Sequence, residues 1–421
     1  MQARAFAERG AQYLLVKAPP ASGKSRALMF IGLDKLEKQG IRKVIVAVPE
    51  RSIGSSFRST KLSEQGFFRD WDVDDEWNLC TAGMDSSKVG KFQAFMESAA
   101  QVLVCTHATL RFAYDKIGPA PFAGCLLAVD EFHHASADAD SRLGEVVRGL
   151  MAEDKTHIVA MTGSYFRGDS VPVLRPEDEE RFTRISYTYY EQLNGYRHLK
   201  TLGIGYHFYR RRYLDAITEV LDATKKTIIH IPNVNSAEAA VDKYEAVDRL
   251  LDHLTGNSAD ADAIVRDPDT GLYKLRLPDG RVLRVADLVD DDQIKRDKVM
   301  ETLRTISGRD DVDIIIALGM AKEGFDWIWC EHALTVGYRA SLTEIVQIIG
   351  RATRDAPGKT RARFTNLIAE PDASEAAVTE AVNDTLKAIA ASLLMEQVLA
   401  PRFNFTPKNP QSGPVPGFDY G

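Results

Sequence analysis

Tyr13-Leu14-Leu15-Val16-Lys17-Ala18-Pro19-Pro20-Ala21-Ser22-Gly23-Lys24-Ser25 decides how the rest of this chain is read. The apolar run Tyr13 to Lys17 predicts a buried strand, and the apolar-periodic segment Arg26 to Lys38 predicts a helix. Between them stands A-x-x-x-x-G-K-S, the pattern of a phosphate-binding P-loop with Ala18 in place of its first glycine. In such a loop the backbone N–H groups and the helix N-terminus wrap phosphate oxygens, and Gly23 allows close backbone approach. Lys24 reaches the β- and γ-phosphates, and the Ser25 hydroxyl ligates Mg²⁺. Ala18, Pro19, Pro20, Ala21, Ser22, Gly23, Lys24 and Ser25 are therefore the candidate nucleotide-binding residues, with ATP and Mg²⁺ as ligands. A chance G-K-S in a surface loop would lack the strand before it and the helix after it.

The same rhythm of apolar run, loop and helical pattern continues outward. Val44 to Val48, Val102 to Cys105, Leu126 to Val129 and Ile158 to Met161 read as further buried strands. It restarts after residue 220 with Thr227 to Ile231, Val312 to Leu318 and Ala333 to Val336, and Ser341 to Ile349 begins a helix. This alternation predicts an α/β chain of two tandem lobes with parallel sheets. The expected division is lobe 1 over 1–185, a linker over 186–222, lobe 2 over 223–370, and a C-terminal helix and Pro-rich tail over 371–421. Alternation around Asp279-Gly280 predicts a hairpin, read as part of an insertion at about 256–291 that interrupts no motif.

Composition narrows the function. Of 421 residues 44% are apolar and 27% charged, which fits a globular chain rather than a disordered one. The apolar run around Ile314 to Ala321 is too short to span a membrane. No apolar leader stands in the first ten residues, and Cys80, Cys105, Cys125 and Cys330 show no CxxC spacing. Reduced thiols and a cytoplasmic location are the expectation. A net charge of −7 excludes a wholly basic surface, so any nucleic acid would be met by a local basic channel.

Asp130-Glu131-Phe132-His133-His134 follows another buried strand, 106 residues after Lys24. A carboxylate there can hold Mg²⁺ through water, and its neighbour can polarise the attacking water. Asp130 is the candidate metal ligand and Glu131 the candidate catalytic base; an acidic helix N-cap is the alternative. His133 and His134 lack the spacing of a metal site.

With these two motifs in place the chain resembles a superfamily 2 helicase of the DExH-box type. Val48-Pro49-Glu50-Arg51 is similar to motif Ia, Cys105-Thr106-His107-Ala108-Thr109-Leu110 to motif Ib and Thr162-Gly163-Ser164 to motif III. Ile229 to Asn233 stands where motif IV belongs. Ala321-Lys322-Glu323-Gly324-Phe325-Asp326 resembles motif V, and Gln347-Ile348-Ile349-Gly350-Arg351-Ala352-Thr353-Arg354 resembles motif VI. DEFHH, T-G-S and K-E-G-F-D give it the flavour of the helicase subunit of type III restriction enzymes. The resemblance implies two RecA-like lobes with a nucleotide cleft between them. It implies nucleic-acid contacts at Pro49, Arg51 and Thr106, coupling through Thr162 and Ser164, and nucleotide contacts at Gly324 and Asp326. Gln347, Arg351 and Arg354 would act on the γ-phosphate. Gln2, 22 residues before Lys24, stands where the family's adenine-reading glutamine could sit.

At i, i+3 on one helix face, Arg351 and Arg354 offer two permanent, forked cations suited to phosphate oxygens. The stretch 181–213 is basic and interleaved with aromatics such as Tyr187, Tyr189, Tyr206 and Phe208. It either holds a strand and stacks bases or packs as sheet or hinge. The reading is an ATP-hydrolysing helicase whose lobes close and open on a single strand, DNA favoured over RNA, with protein partners in a larger complex and no membrane. A translocase without strand separation is one alternative. A nucleic-acid-binding or recruiting ATP switch in a defence or repair complex is the other.

Overall fold

Every apolar run of the first half becomes a strand of one sheet. The computed structural model describes residues 1–80, 87–132, 142–163, 175–210, 212–232, 243–290, 292–318, 327–337 and 348–369. These divide between two compact units, one ending at Gln192 and the next beginning at Leu193. The first is built on β1 (Tyr13–Lys17), β2 (Lys43–Val48), β3 (Val102–Thr106), β4 (Cys125–Val129), β5 (His157–Thr162) and β6 (Thr183–Ser186). Their order is β3-β2-β4-β5-β1-β6 and every pairing is parallel.

Both faces of this sheet are buried, which is why the strands read as unbroken apolar runs. Tyr13 and Leu15 join one core layer with Ile45, Leu103, Leu127 and Ile158. Leu14 and Val16 turn to the other, with Val46, Val104, Leu126 and the helix Lys24–Lys38. That helix carries one ammonium into the core: Lys35, 0% exposed, spends its three protons on Ala11 O at 2.8 Å, His157 Nδ1 at 2.8 Å and Gln39 Oε1 at 3.3 Å. A buried cation is tolerable only when every N–H finds an acceptor.

The second unit holds β7 (Thr201–Tyr209), β8 (Thr227–Ile231), β9 (Ile264–Arg266), β10 (Tyr273–Arg276), β11 (Val282–Asp287), β12 (Ile314–Leu318), β13 (His332–Val336) and β14 (Arg361–Ala369). They form an eight-stranded sheet in the order β7-β14-β13-β8-β12-β11-β10-β9. The pairings from β7 through to β11 are parallel, and β11-β10-β9 is antiparallel. Both sheets are flanked by helices, an α/β architecture.

Residues 186–222, expected as a linker, contain the boundary between the two units and also strand β7, which pairs in register with β14 from Thr201↔Arg361 to Tyr209↔Ala369. Of its aromatics, Tyr206 and Phe208 lie on this edge strand, whereas Tyr189 is buried on the helix Tyr189–Asn194 and Tyr187 packs on the first unit's core. Arg181 is likewise committed to Asp154 at 2.7 Å, and Arg184 stands 3.6 Å from Glu179.

The Asp279-Gly280 hairpin forms, with Leu277 N donating to Arg281 O at 2.8 Å and Gly280 at φ 86° closing the turn. Yet it is no appendage, since β11 continues the parallel sheet on β12, and Leu275 of β10 with Leu283 and Val285 of β11 lies in the unit's core. Its cations are also spoken for: Lys274 pairs with Asp267, Arg276 with Asp260 and Arg281 with Asp279. Replacing 271–286 by a Gly-Ser loop is thus expected to unfold the second unit. Leu275→Ala, with its side chain 0% exposed, should cost about 2–5 kcal/mol in urea unfolding. An unchanged unfolding curve in either variant would show the hairpin to be dispensable.

Candidate nucleotide site

In a parallel α/β sheet the loops leaving the carboxyl ends of the strands gather along one edge. The P-loop leaves β1 there, Pro49 and Arg51 follow β2, Thr106 ends β3, Asp130 and Glu131 follow β4, and Thr162 ends β5. The register sets Lys17 beside Thr162 and Val48 beside Thr106. Sequence positions more than a hundred residues apart thus share one rim.

The P-loop is shaped by its own backbone. Ala18 N–H donates to Thr162 O at 3.1 Å, and Ser22 N–H to Pro19 O at 3.3 Å. Ala18 is fully buried in the core layer, so the methyl that replaces the usual first glycine is absorbed by packing. Gly23 is the helix N-cap at φ 85°, and a Cβ there would lie 2.3 Å from Gln2 Nε2. The left-handed φ is the demand that favours glycine here, since the Gln2 amide is the end of a flexible side chain. Lys24, 8% exposed, holds its ammonium over the loop carbonyls of Ala18 at 2.9 Å and Pro19 at 3.1 Å.

Two glutamines brace the loop from outside it. Gln2 Nε2 donates to Gly23 O at 3.4 Å, and the buried Gln192 donates to Pro20 O at 3.2 Å. Sequence reasoning named Gln2 on position alone and missed Gln192, for which no local signal exists.

Asp130 is 5% exposed, and its Oδ1 accepts the Glu131 N–H at 3.0 Å. Glu131 lies in the left-handed region at φ 48°, a conformation that costs a non-glycine residue energy and gathers at functional sites. Its Oε2 accepts the Gly163 N–H at 3.4 Å. A Cβ placed on Gly163 would lie 3.4 Å from Lys24 Nζ, 3.6 Å from Glu131 Oε1 and 3.6 Å from Pro20 Cδ. Gly163 therefore marks where the P-loop cation and the second carboxylate converge. His107 was quoted in its motif but given no role. It is buried, and its Nε2–H donates to Asp130 O at 3.0 Å.

Thr106 has a local duty as well, capping the helix His107–Ile117 by accepting the Thr109 N–H at 3.2 Å. Arg51 is exposed and Pro49 half-buried.

In the second unit Arg351 lies on the helical turn Ile348–Ala352. Arg354 follows beyond its end rather than on the same helix, correcting the expectation of one shared face. Both are half-buried. Ser164, Gly324, Asp326 and Gln347 lie outside the described residues, as do His133 and His134.

The donor set suits Mg²⁺, a hard cation held by a hydroxyl, a carboxylate and phosphate oxygens rather than by an all-protein cage. Among the described residues no group of three His, Cys, Asp or Glu is placed to hold a metal alone. Ser22 Oγ is buried in the loop with no hydrogen-bond partner among the described residues, an orphan that an anion's oxygen would satisfy.

A P-loop, a carboxylate pair on the neighbouring rim and a second α/β unit define an ATP-dependent helicase core, and comparison with known proteins agrees. The chain is 63% identical over 413 residues to the Bacillus subtilis (strain 168) protein named "Putative ATP-dependent helicase YeeB", spanning 98% of this chain and 68% of that one. The chain belongs to this helicase family. No protein-family model matches it. Among solved structures it is similar to Mycobacterium smegmatis helicase Lhr bound to ssDNA and AMP-PNP, at TM-score 0.56 and 14% identity over 93% of this chain and 48% of Lhr. It is similar to the DUF1998 helicase MrfA bound to DNA, at 0.57 and 13% over 88% and 48%. It is similar also to S. cerevisiae Dbp5 bound to RNA and ADP BeF3, at 0.52 and 13% over 90% and 83%. The chain spans about half the length of the Lhr and MrfA chains. These structures speak for the fold alone.

Proposed function

We propose that this chain is an ATP-driven motor on a nucleic-acid strand, with hydrolysis at the rim of the first unit completed by cations from the second. The convergence of Lys24 Nζ and Glu131 Oε1 on Gly163 carries this reading. A cation for the phosphates and a base for the water stand within one phosphoryl group's reach. Lys24 exchanges its loop carbonyls for β- and γ-phosphate oxygens, which carry full negative charge and bind an ammonium more strongly. Ser25 and Asp130 would hold Mg²⁺, which would neutralise charge on the phosphate oxygens. Glu131 takes the proton of the attacking water. Thr162 and Ser164 couple the ATP site to the strand-binding face; Thr162 ends β5, which lies between β1 and β4 in the sheet. Arg351, Arg354 and Gln347 act on the γ-phosphoryl group, the two arginines by stabilising its charge, and Gly324 and Asp326 contact the nucleotide. Pro49, Arg51 and Thr106 hold the strand's backbone.

Within the helicases we assign the chain to the DExH-box type, beside the helicase subunit of type III restriction enzymes. This assignment carries DNA over RNA, a multiprotein setting and a cytoplasmic site of action. The free, buried state of Cys80, Cys105, Cys125 and Cys330 is consistent with a reducing compartment. No described helix is long and apolar enough to cross a membrane.

The test sets ATPase and strand-displacement assays side by side, with single-stranded DNA and RNA of one sequence. Stimulation by DNA above RNA, with affinity falling steeply as salt rises, is the expected result. Stimulation without displacement would leave a translocase. Affinity flat in salt, or no stimulation by either strand, would overturn the motor reading.

A further inference from the structure

The second unit opens with a segment that runs into β7. Three consecutive N–H groups there donate to one carboxylate: Arg197 N to Asp355 Oδ2 at 2.8 Å, and His198 N and Leu199 N to Asp355 Oδ1 at 2.9 and 2.8 Å. Asp355 follows Arg354 directly. From the other side Lys359, 2% exposed, donates to the Arg354 carbonyl at 2.8 Å and to the Ile328 carbonyl at 3.1 Å. The peptide joining Arg354 to Asp355 is thus gripped by an ammonium on its oxygen and anchored through the next side chain to three amides.

Two ionised groups are an expensive way to close a turn. Burial lowers the Lys359 ammonium to about 8. Burial also pushes the Asp355 carboxyl upward, but the three amides outweigh it and hold the group below its ordinary range. Neutral side chains could satisfy the same backbone groups without desolvating charge. What ionic hydrogen bonds add is short, directional restraint, here applied to the residue that carries a guanidinium.

We propose that Asp355 and Lys359 are positioning residues for Arg354, fixing its backbone so that its guanidinium meets the γ-phosphoryl group without a search. This rests on the reading of Arg354 as a transition-state cation. The side chains themselves touch no substrate, so their loss should act only through Arg354.

The experiment measures strand-stimulated kcat and KM for ATP in the full chain for Asp355→Ala, Asp355→Glu, Lys359→Met, Arg354→Ala and the Arg354→Ala/Asp355→Ala pair. Misplacing a reacting group by about 1 Å costs about 10²-fold. Asp355→Ala and Lys359→Met should therefore lower kcat by that order with KM little changed, and Asp355→Glu should recover part of the loss. The double variant should be no slower than Arg354→Ala alone, because residues acting through one group are non-additive. Multiplied losses in the double variant, or wild-type kcat in a folded Asp355→Ala protein, would overturn the proposal. Should Asp355→Ala fail to fold by thermal melting, Asp355→Asn takes its place, keeping an oxygen for two amides and turning an NH₂ on Arg197 N–H. A near-normal Arg354→Ala would instead overturn the reading beneath it.

Discussion

Replacing Arg351 and Arg354 together by alanine is expected to lower strand-stimulated ATP turnover about 10³–10⁵-fold, the worth of an arginine finger. ATP affinity should fall far less, because Lys24 and Ser25 would still hold the phosphates. The distinction matters. A guanidinium that acts only as charge builds in the transition state changes kcat, whereas one that binds the ground state changes KM. Single-turnover hydrolysis beside equilibrium nucleotide binding separates the two. The same variant should still bind single strands but lose the ATP-dependent change in that affinity, since two sites are coupled only through what both contact. Near-normal stimulated hydrolysis would leave the first unit a self-sufficient ATPase and the second unit without a catalytic part.

Glu131→Gln is the second large effect. The amide keeps the shape of the side chain and an oxygen that can still accept the Gly163 N–H now directed at Oε2. It cannot take a proton at neutral pH. ATP should still bind, and hydrolysis should slow about 10²–10⁴-fold, the range of a general base. The left-handed backbone at φ 48° belongs to the position rather than to the charge, so thermal stability should barely move. Wild-type turnover in this variant would move the base elsewhere on the rim.

The candidate site was legible where its chemistry is local. The P-loop announces itself because the turn needs Gly23 at positive φ, the phosphates need a lysine at the helix start, and a strand must come before it. The DEFH carboxylates were found for the same reason, at the end of an apolar run. The arginines were legible as cations but not in their setting. Spacing implied one helix face, whereas the helix ends at Ala352 and Arg354 lies past it. Gln192 on Pro20 and His107 on Asp130 could not be read at all, because each contact joins segments with no sequence relation.

The same division runs through the fold. Five of the six parallel strands of the first unit are buried on both faces, so composition alone marks them; the short edge strand β6 alternates as Thr183-Arg184-Ile185-Ser186, with Arg184 and Ser186 exposed. In the second unit β14 alternates Arg361 and Arg363 outward with Ala362 and Phe364 inward. What no local pattern could supply was partnership. A strand's sequence states which face is apolar, not which neighbour its N–H groups will find. Hence the linker range 186–222 gives no local sign that β7 pairs with β14, nor the insertion range 256–291 that β11 pairs with β12. By itself the sequence determined which residues are able to bind phosphate, carry charge or lie in a core, because those are properties of side chains and short backbone turns. Only the tertiary structure decided that Lys24 and Glu131 both come close to Gly163, and that Asp355 grips the entry to β7. Such juxtapositions are set by strand order and register, which only the packed sheets define.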